Sequence, residues 1–536
     1  NLYLMKDEHI SKQFELTLAS VELEEFIVLA PKVRGSLSSA VLEEKSSHAI
    51  SNILSSDDFG KKGDSTAAAA LKRVTGVTLI GERDVYVRGL GERYSNIEMN
   101  SMPLPSPNPL KRVVPMDIFP AGAISSIKVQ KSASADIPSS FGGGYIDIRT
   151  KDSTDDDYFK IGFGLKANTN TGGDMYTYEG GDSDMFGYDD GYREINAAIL
   201  NNSKVTEGER ITGFTTDNFT EEQLSQLTQD YINRDYDVVT KEQPLGFDAG
   251  VEASKSINFN EIHHVTLFGY YKYSTDSESW SETYNNYDMQ KSTGKLYEDP
   301  SQSGTIYDSI QEYVHNALIN VGYNYADVFR MKYTWLYTHD TENVTRVADG
   351  VMGSNNEDMT KYYLNWEERT LNVNQISGDF DYELFGNETN FRFGVELAQA
   401  ELYQPNNYQY TFRNEGEPFL DNKVSNNIAN NLESEDDLKA FYLKNKFHFD
   451  LLSEEDFIDI GVSMSTKDRE SKQNKYFLKK QGAGTIVDDH EMTGTIEEIY
   501  DTYVRPDIPY EERSLVVSQL FTAADHYDAE VEETNV

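Results

Sequence analysis

The sequence predicts a mainly β protein: a compact α+β domain followed by an incomplete antiparallel transmembrane β-barrel, of which about nine strands are present. Three observations carry this. The chain is very polar and acidic yet 12% aromatic, with 35 Tyr and 26 Phe among 536 residues. Its second part alternates apolar and polar residues with period two, again and again. The connections between those stripes alternate between short and long, as they do when tight turns line one rim of a barrel and loops the other.

Composition narrows the function. Lys and Arg number 48 against 91 Asp and Glu, a formal charge of −43. A phosphate backbone needs a basic footprint, so a nucleic-acid binder is excluded. With no cysteine, a disulfide scaffold, a thiolate nucleophile and a Cys-ligated zinc are excluded too. Disordered acidic chains are poor in aromatics, which argues for a folded protein. No apolar run approaches the ~18 residues of a membrane helix.

Three zones follow one another. Residues 1–45 are a polar lead-in around the apolar strip Phe26-Ile27-Val28-Leu29-Ala30. Residues 46–151 form a Gly/Pro-punctuated domain, and residues 71–151 carry 11 Lys/Arg against 7 Asp/Glu. A mildly basic domain beside acidic segments suggests a part seated against an acidic shell. Residues 155–536 alternate strands with long acidic loops.

The nine stripes begin at Phe159, Ile161, Phe163 and Leu165 and continue at Phe247–Ala253, Val265–Tyr273, Ala317–Tyr325 and Phe329–Tyr337. Phe268 and Tyr270 blur the third. The sixth runs from Leu371 and Val373 into Ile376, Phe380 and Tyr382 in the opposite phase, which predicts a bulge near Asn374-Gln375. Phe391–Leu397, Phe441–Phe449 and Ile458–Met464 complete the set, and Tyr527, Ala529 and Val531 begin a further strand. The polar faces carry Lys, Arg, Glu and Asn, as a watery lumen would. Short turns are expected at Asn258–His263, Ala326-Asp327, Phe385–Glu388 and Leu452–Glu455. Residues 171–243 hold 16 Asp/Glu against 5 Lys/Arg. Helices are expected at Phe219–Tyr231, with Thr220 as N-cap, and at Glu511–Ala524. An odd, unclosed strand count leads us to expect that the chain stops inside its barrel.

The first domain holds an ordered set of motifs. Leu71-Lys72-Arg73-Val74-Thr75-Gly76-Val77 precedes Val85-Tyr86-Val87-Arg88-Gly89-Leu90-Gly91-Glu92-Arg93-Tyr94-Ser95-Asn96. Asp117-Ile118-Phe119-Pro120 follows, and Phe141-Gly142-Gly143-Gly144-Tyr145-Ile146-Asp147-Ile148-Arg149 closes it. This resembles the plug domain of TonB-dependent outer-membrane receptors over residues 22–151. Glu25-Phe26-Ile27-Val28-Leu29-Ala30, behind Glu24, resembles the TonB box, a strip able to add as a strand to a partner's sheet. Residues 1–20 resemble the tail of a small β-sandwich extension carried by some members.

The resemblance implies a barrel of about 22 strands around the plug, a Gram-negative outer-membrane location with lipid and lipopolysaccharide as neighbours, and no enzymatic activity or cofactor. It implies an extracellular ligand bound where plug apex and outer loops meet. It also implies energy from TonB with its inner-membrane ExbB/ExbD complex. An iron chelate, cobalamin or an oligosaccharide would each suit. The rival readings are a receptor acting mainly in signal transduction and an acidic extracellular adhesion protein.

Individual residues carry further expectations. Arg88 and Arg93 are expected to pair with acids of the lumen wall or plug, and Tyr94 belongs to the same motif. Gly142, Gly143 and Gly144 are expected to provide backbone room in a tight turn rather than a phosphate cradle. Asn100-Ser101 stands where many members have Asp-Gly or Asn-Gly, so this turn is expected to differ. Pro103, Pro105, Pro107 and Asn108 belong to a stiff, exposed loop on the ligand side. Asp182, Asp184, Asp189 and Asp190 lack the spacing of a calcium loop and are expected in a solvated loop. The neighbours His263 and His264 point to opposite faces and are expected in a periplasmic turn, not as metal ligands.

Overall fold

A computed structural model describes residues 36–535 except 48, 82, 139–140, 153–156, 197–198, 200–210, 212–218, 233, 290–293, 298–299, 354, 422, 424–425, 450–455, 481–491, 505–514 and 520–525. The strip Glu25–Ala30 and the turn Leu452–Glu455 therefore lie outside the described residues.

The first domain is α+β. Helices α1 (Leu37–Ser46), α2 (Ser56–Lys62) and α3 (Ala67–Leu71) accompany strands β1 (Ser51–Ser55), β2 (Val77–Ile80), β3 (Asp84–Val87), β4 (Ser95–Met99), β5 (Met102–Pro103), β6 (Ile124–Gln130) and β7 (Gly144–Thr150). Five strands form a sheet in the order β1-β6-β7-β4-β5, while β2 and β3 make a separate hairpin. The two main motifs of this domain are one structural unit. Gly142 and Gly143 donate their N–H groups to the Tyr94 carbonyl at 3.1 and 2.9 Å. A Cβ on Gly144 would stand 2.4 Å from Val87 Cγ2, and one on Gly143 would stand 2.7 Å from Leu90. None of the three glycines has a positive φ. The triplet is therefore needed for close approach of two segments, not for the bend of a turn.

All nine anticipated strands are present: β8 (Tyr158–Lys166), β11 (Gly246–Asn258), β12 (His263–Asn286), β13 (Gln302–Tyr325), β14 (Phe329–Met352), β15 (Glu357–Leu384), β16 (Asn387–Arg413), β18 (Ile428–His448) and β19 (Phe457–Lys480). With β17 (Phe419–Leu420), β20 (Leu515–Gln519) and β21 (His526–Asn535) they form one open antiparallel sheet. It is bounded by β8 on one side and by β20 and β21 on the other. The late strand anticipated at Tyr527–Val531 is β21, paired to β19. Turns on one rim are tight, with left-handed Ala326 and Asp327 at φ 52° and 57° and Phe385-Gly386 at 55° and 83°. No helix among the described residues is long and apolar enough to cross a membrane.

Three expectations are corrected. The strands are far longer than their apolar stripes. Strands β12 to β16 run for 24–28 residues, against about 10 for a bilayer crossing. Much of what reads as long loop is thus strand; β14 and β15 are separated only by residues 353–356. Secondly, the register of β15 on β14 runs unbroken through Asn374-Gln375. Leu371 and Val373 are buried against the first domain, whereas Ile376 and Phe380 are exposed on the other face. The stripe changes face without a bulge because both faces are apolar at different heights. The real irregularities lie where β16 gains a residue near Asn406, at φ 43°. Thirdly, residues 515–519 of the anticipated helix Glu511–Ala524 are strand β20, buried throughout. Three aliphatic residues, Leu515-Val516-Val517, suit a strand enclosed on both faces.

The described residues of the acidic excursion between β8 and β11 are folded. It contains β9 (Asp174–Tyr178), paired to β10 (Val238–Glu242), and α4 (Glu221–Tyr231) with the capping box Thr220–Gln223. Together with α5 (Ile496–Tyr503) and β20 it builds a second core of Tyr178, Leu224, Tyr231, Tyr236, Tyr408, Tyr476 and Tyr500, among others. Asp184 and Asp189 pair with the buried Arg193, whose guanidinium stacks over Trp366.

The β4–β5 turn gives a direct test. Asn100 and Ser101 both adopt left-handed φ, 51° and 65°, a conformation that glycine takes without steric cost. Ser101→Gly is expected to raise stability by up to about 1 kcal/mol, read as a higher thermal midpoint of detergent-solubilised protein. A lower midpoint would mean that the serine contributes to the turn.

Candidate functional site

Alternation along each strand gives the sheet two faces. Outward stand Phe163, Ile319, Tyr333, Ile376, Leu397 and Leu443, all exposed. Inward stand Phe268, Leu318, Leu336, Leu371, Val373, Ala398, Ala400, Leu438 and Ala440, which share one core with Phe59, Leu71, Val85, Met116 and Phe119 of the first domain. Phe268 and Tyr270, which blur the sequence stripe, are residues that meet this domain; a Cβ on Gly122 would stand 2.5 Å from the Tyr270 hydroxyl. The inward face is thus a seat for a folded domain, and its polar groups hold that domain at three places.

The first is ionic. Arg369 on β15 is almost wholly buried and pairs with Asp117 of the first domain at 2.8 Å, with Glu342 at 3.2 Å, and with Asp340. Arg83, in the turn just before β3, pairs with Asp117 at 3.0 Å, with Glu342, and with Glu367 at 3.6 Å. Asp340 and Arg369 face each other across β14 and β15, as do Glu342 and Glu367. Two guanidinium groups thus sit among four carboxylates drawn from both bodies.

The second is the β4–β5 turn. Asn100 donates through Nδ2 to Gln375 Oε1 at 2.9 Å, and Gln375 donates to the Met99 carbonyl at 2.9 Å and to Glu396. Ser101 N–H donates to Asp147 at 2.9 Å. Behind the turn Tyr145 donates to the buried Glu98 at 2.7 Å. Burial pushes the Glu98 carboxyl up to about 7, against the lowering effect of the Tyr145 hydrogen bond and with the neighbouring Asp147 charge adding to the rise.

The third holds the apical segment. Arg469 on β19 donates to the carbonyls of Asn108 and Lys111 at 3.3 and 3.1 Å and pairs with Asp436 at 2.6 Å. Asp436 accepts from Ser106 N–H at 2.8 Å, and Lys467 donates to the Leu104 carbonyl at 2.9 Å. Pro105 and Pro107 are buried, and Pro103 and Asn108 half-buried. The segment is therefore not exposed as a whole; its tip is Leu110, 88% exposed.

Arg88 and Arg93 are exposed and make no ion pair among the described residues. Arg83, Arg369 and Arg469 do the pairing instead. Arg88-Gly89 has left-handed φ values of 54° and 77°, so this part of the motif shapes a turn whose Leu90 N–H returns to the Val87 carbonyl at 3.0 Å. His263 and His264 stand at the start of β12 beside the tight rim, bonded to Tyr323 and Asn258. One signal could have revealed the pairing residues: Asp340, Glu342, Glu367 and Arg369 are charges beyond the apolar stripes, on strands that the loop reading cut short.

Residues 43–145 match the model of the TonB-dependent Receptor Plug Domain family. No curated protein matches by sequence. Among solved structures the chain is similar to the ferric-catecholate import receptor Fiu of E. coli K12, at 10% identity over 81% of this chain and 70% of that one, TM-score 0.37. It is likewise similar to the ferric citrate transporter FecA, at 12% identity over 81% and 58%, TM-score 0.38. A third is the ferric yersiniabactin uptake receptor FyuA of Yersinia pestis, at 8% identity over 91% and 61%, TM-score 0.35.

Two measurements check the seat. Arg369→Met, which strands buried carboxylates, is expected to cost about 3–5 kcal/mol of stability, and Arg83→Met, at a more exposed position, distinctly less. Equal losses in thermal midpoint would contradict the burial argument. Glu98 has a folded-state pKa above its unfolded value, so its contribution is full below about pH 4.5 and is lost as pH rises through about 7. Stability should therefore fall across that window, and Glu98→Gln should make that fall shallower.

Proposed function

We propose that this chain, by its plug domain and its antiparallel sheet a TonB-dependent receptor of the outer membrane, imports a scarce extracellular ligand under the pull of TonB. The observation that carries this reading is the character of the contact between plug and wall. Beside the shared apolar core, the plug is held by ion pairs and by hydrogen bonds to turn and loop backbone. Such contacts exchange for water at a net cost of about 1–3 kcal/mol each, and a pull applied along the chain meets them one after another. A seat built for permanence would bury apolar surface alone.

In this reading Glu25, Phe26, Ile27, Val28, Leu29 and Ala30 supply the strand that TonB captures, with ExbB and ExbD behind it. The apical segment Pro103–Asn108 and its tip Leu110 face the ligand side. Pulling on the N-terminal lead draws the plug from its ionic and hydrogen-bonded seat, and the ligand follows. An iron chelate, cobalamin or an oligosaccharide is the class of cargo.

Deletion of Glu25–Ala30 is expected to abolish uptake while leaving ligand binding to cells unchanged. Uptake that persists in the deletion strain would remove both the box assignment and the coupling to TonB.

A further inference from the structure

On the outward face of the wall, one row of residues marks the upper edge of the apolar stripes. Tyr273, His315, His339 and Thr370 stand directly opposite one another on β12, β13, β14 and β15. Below the row the outward positions include Tyr271, Ile319, Trp335 and Tyr337; above it they include Thr275, Gln311, Thr341 and Asn343. The row grips a turn of the acidic excursion, Asp184–Gly187, by its backbone. The Tyr273 hydroxyl donates to the Met185 carbonyl, His315 Nε2 to the Phe186 carbonyl at 2.8 Å, and His339 Nε2 to the Gly187 carbonyl at 2.6 Å. A carbonyl only accepts, so Nε2 of both rings carries a proton. Nδ1 of each ring is hydrogen-bonded at 2.9 Å, to Tyr271 and to Thr370.

The turn lies flat against the wall. Gly187, at φ 73°, is buried, and a Cβ there would stand 2.8 Å from the Tyr313 Cβ. Arg193 holds both ends through Asp184 and Asp189, and the Tyr188 ring stacks on His339 with centroids 4.0 Å apart. Three successive carbonyls are turned to the wall, and the side chains of Met185 and Phe186 project away from it, 61% and 51% exposed. Asp182 and Asp190 are exposed at the base of the turn, where the Asp182 N–H donates to Asp190 at 2.9 Å. The turn is thus apolar at its tip and charged at its base. A tip bathed in water gains nothing from two large apolar side chains held so firmly. A tip that enters lipid needs both features, the apolar side chains and carbonyls that already have donors.

We propose that the Met185-Phe186 turn is a membrane anchor, dipping into the acyl region at the surface of the outer leaflet and fixing the height of the outer lobe on the wall. Lipid is the occupant because the turn is continuous with the face that an outer-membrane sheet gives to the bilayer. Through Tyr273 and through His315 with Tyr271 it joins the exposed apolar stripe. His315 stands four residues above the exposed Ile319 on β13, roughly 13 Å along the strand. An aromatic ring and a flexible thioether at that height suit the boundary between headgroups and acyl chains. The anchor depends on the outer-membrane location and not on the cargo or on coupling to TonB.

The test uses the full chain, which has no cysteine, in vesicles of phospholipid and lipopolysaccharide. Phe186→Cys, and separately Met185→Cys, supplies a single thiol for a nitroxide label. Collision of the label with oxygen, which concentrates in hydrocarbon, is compared with collision with a water-soluble nickel chelate. Ile319→Cys on the apolar face and Leu110→Cys at the plug tip are the references. The labels at 185 and 186 are expected to be open to oxygen and to lose nickel access to the level found at Ile319. If Phe186→Cys does not fold, Met185→Cys carries the same readout. Nickel access as high as at Leu110, with Ile319 shielded, overturns the proposal alone; nickel access at Ile319 as well overturns the membrane seating of the sheet with it. Spin–spin broadening that disappears when labelled chain is diluted with unlabelled chain assigns the turn to a contact between copies and also overturns the proposal.

Discussion

Each long strand of this sheet must satisfy two different surroundings with side chains that strictly alternate. Outward positions along the lower strands are apolar and exposed, and inward positions meet a folded domain. The register between neighbouring strands is unbroken from β11 to β15. A one-residue slip would turn Arg369 and Gln375 to the apolar outer face and Ile376 to the first domain. The polar seat and the apolar belt therefore depend on the same backbone constraint.

The seat answers a charge problem set by the composition. A chain with so large an acid excess places part of it on the wall, at Asp340, Glu342, Glu367 and Asp436, and meets it with cations. The partners come from both bodies: Arg83 from the plug, Arg369 and Arg469 from the wall itself. Arg469 turns toward the backbone carbonyls of the apical segment, so that a loop with few side-chain donors is still held. Glu98 of the first domain is different, a buried acid hydrogen-bonded to a tyrosine instead of paired with a cation, and its charge state responds to pH near neutrality.

Much of the remaining acid lies in the excursion after β8 and the segment after β19, whose described residues pack onto the upper strands. Tyrosine makes this possible. Tyr231, Tyr236, Tyr408 and Tyr500 bury their rings together while Tyr408 and Tyr500 share a hydrogen bond. A core of this kind needs few aliphatic residues. Much of the aromatic content that first points to a barrel thus belongs to a lobe on its outer surface.

The sequence by itself determined the class, the order of the nine strands, the tight turns at one rim, α4 with its cap, and the plug motifs. All of these are local: period two, turn residues and capping residues act over a few positions. It misled where a residue's environment comes from a distant segment. Phe268, Leu371 and Val373 read as noise or as a bulge because their partner lies in the plug, some 150–300 positions earlier. The upper strands read as loops because their polar outward residues are covered by a lobe that only the fold brings there. Arg83, Arg369 and Arg469 could not be distinguished from other charges, since pairing depends on which face of which strand meets the domain. Only the tertiary structure decided that, because burial and charge pairing depend on the distances between segments and alternation sets only which side a residue is on.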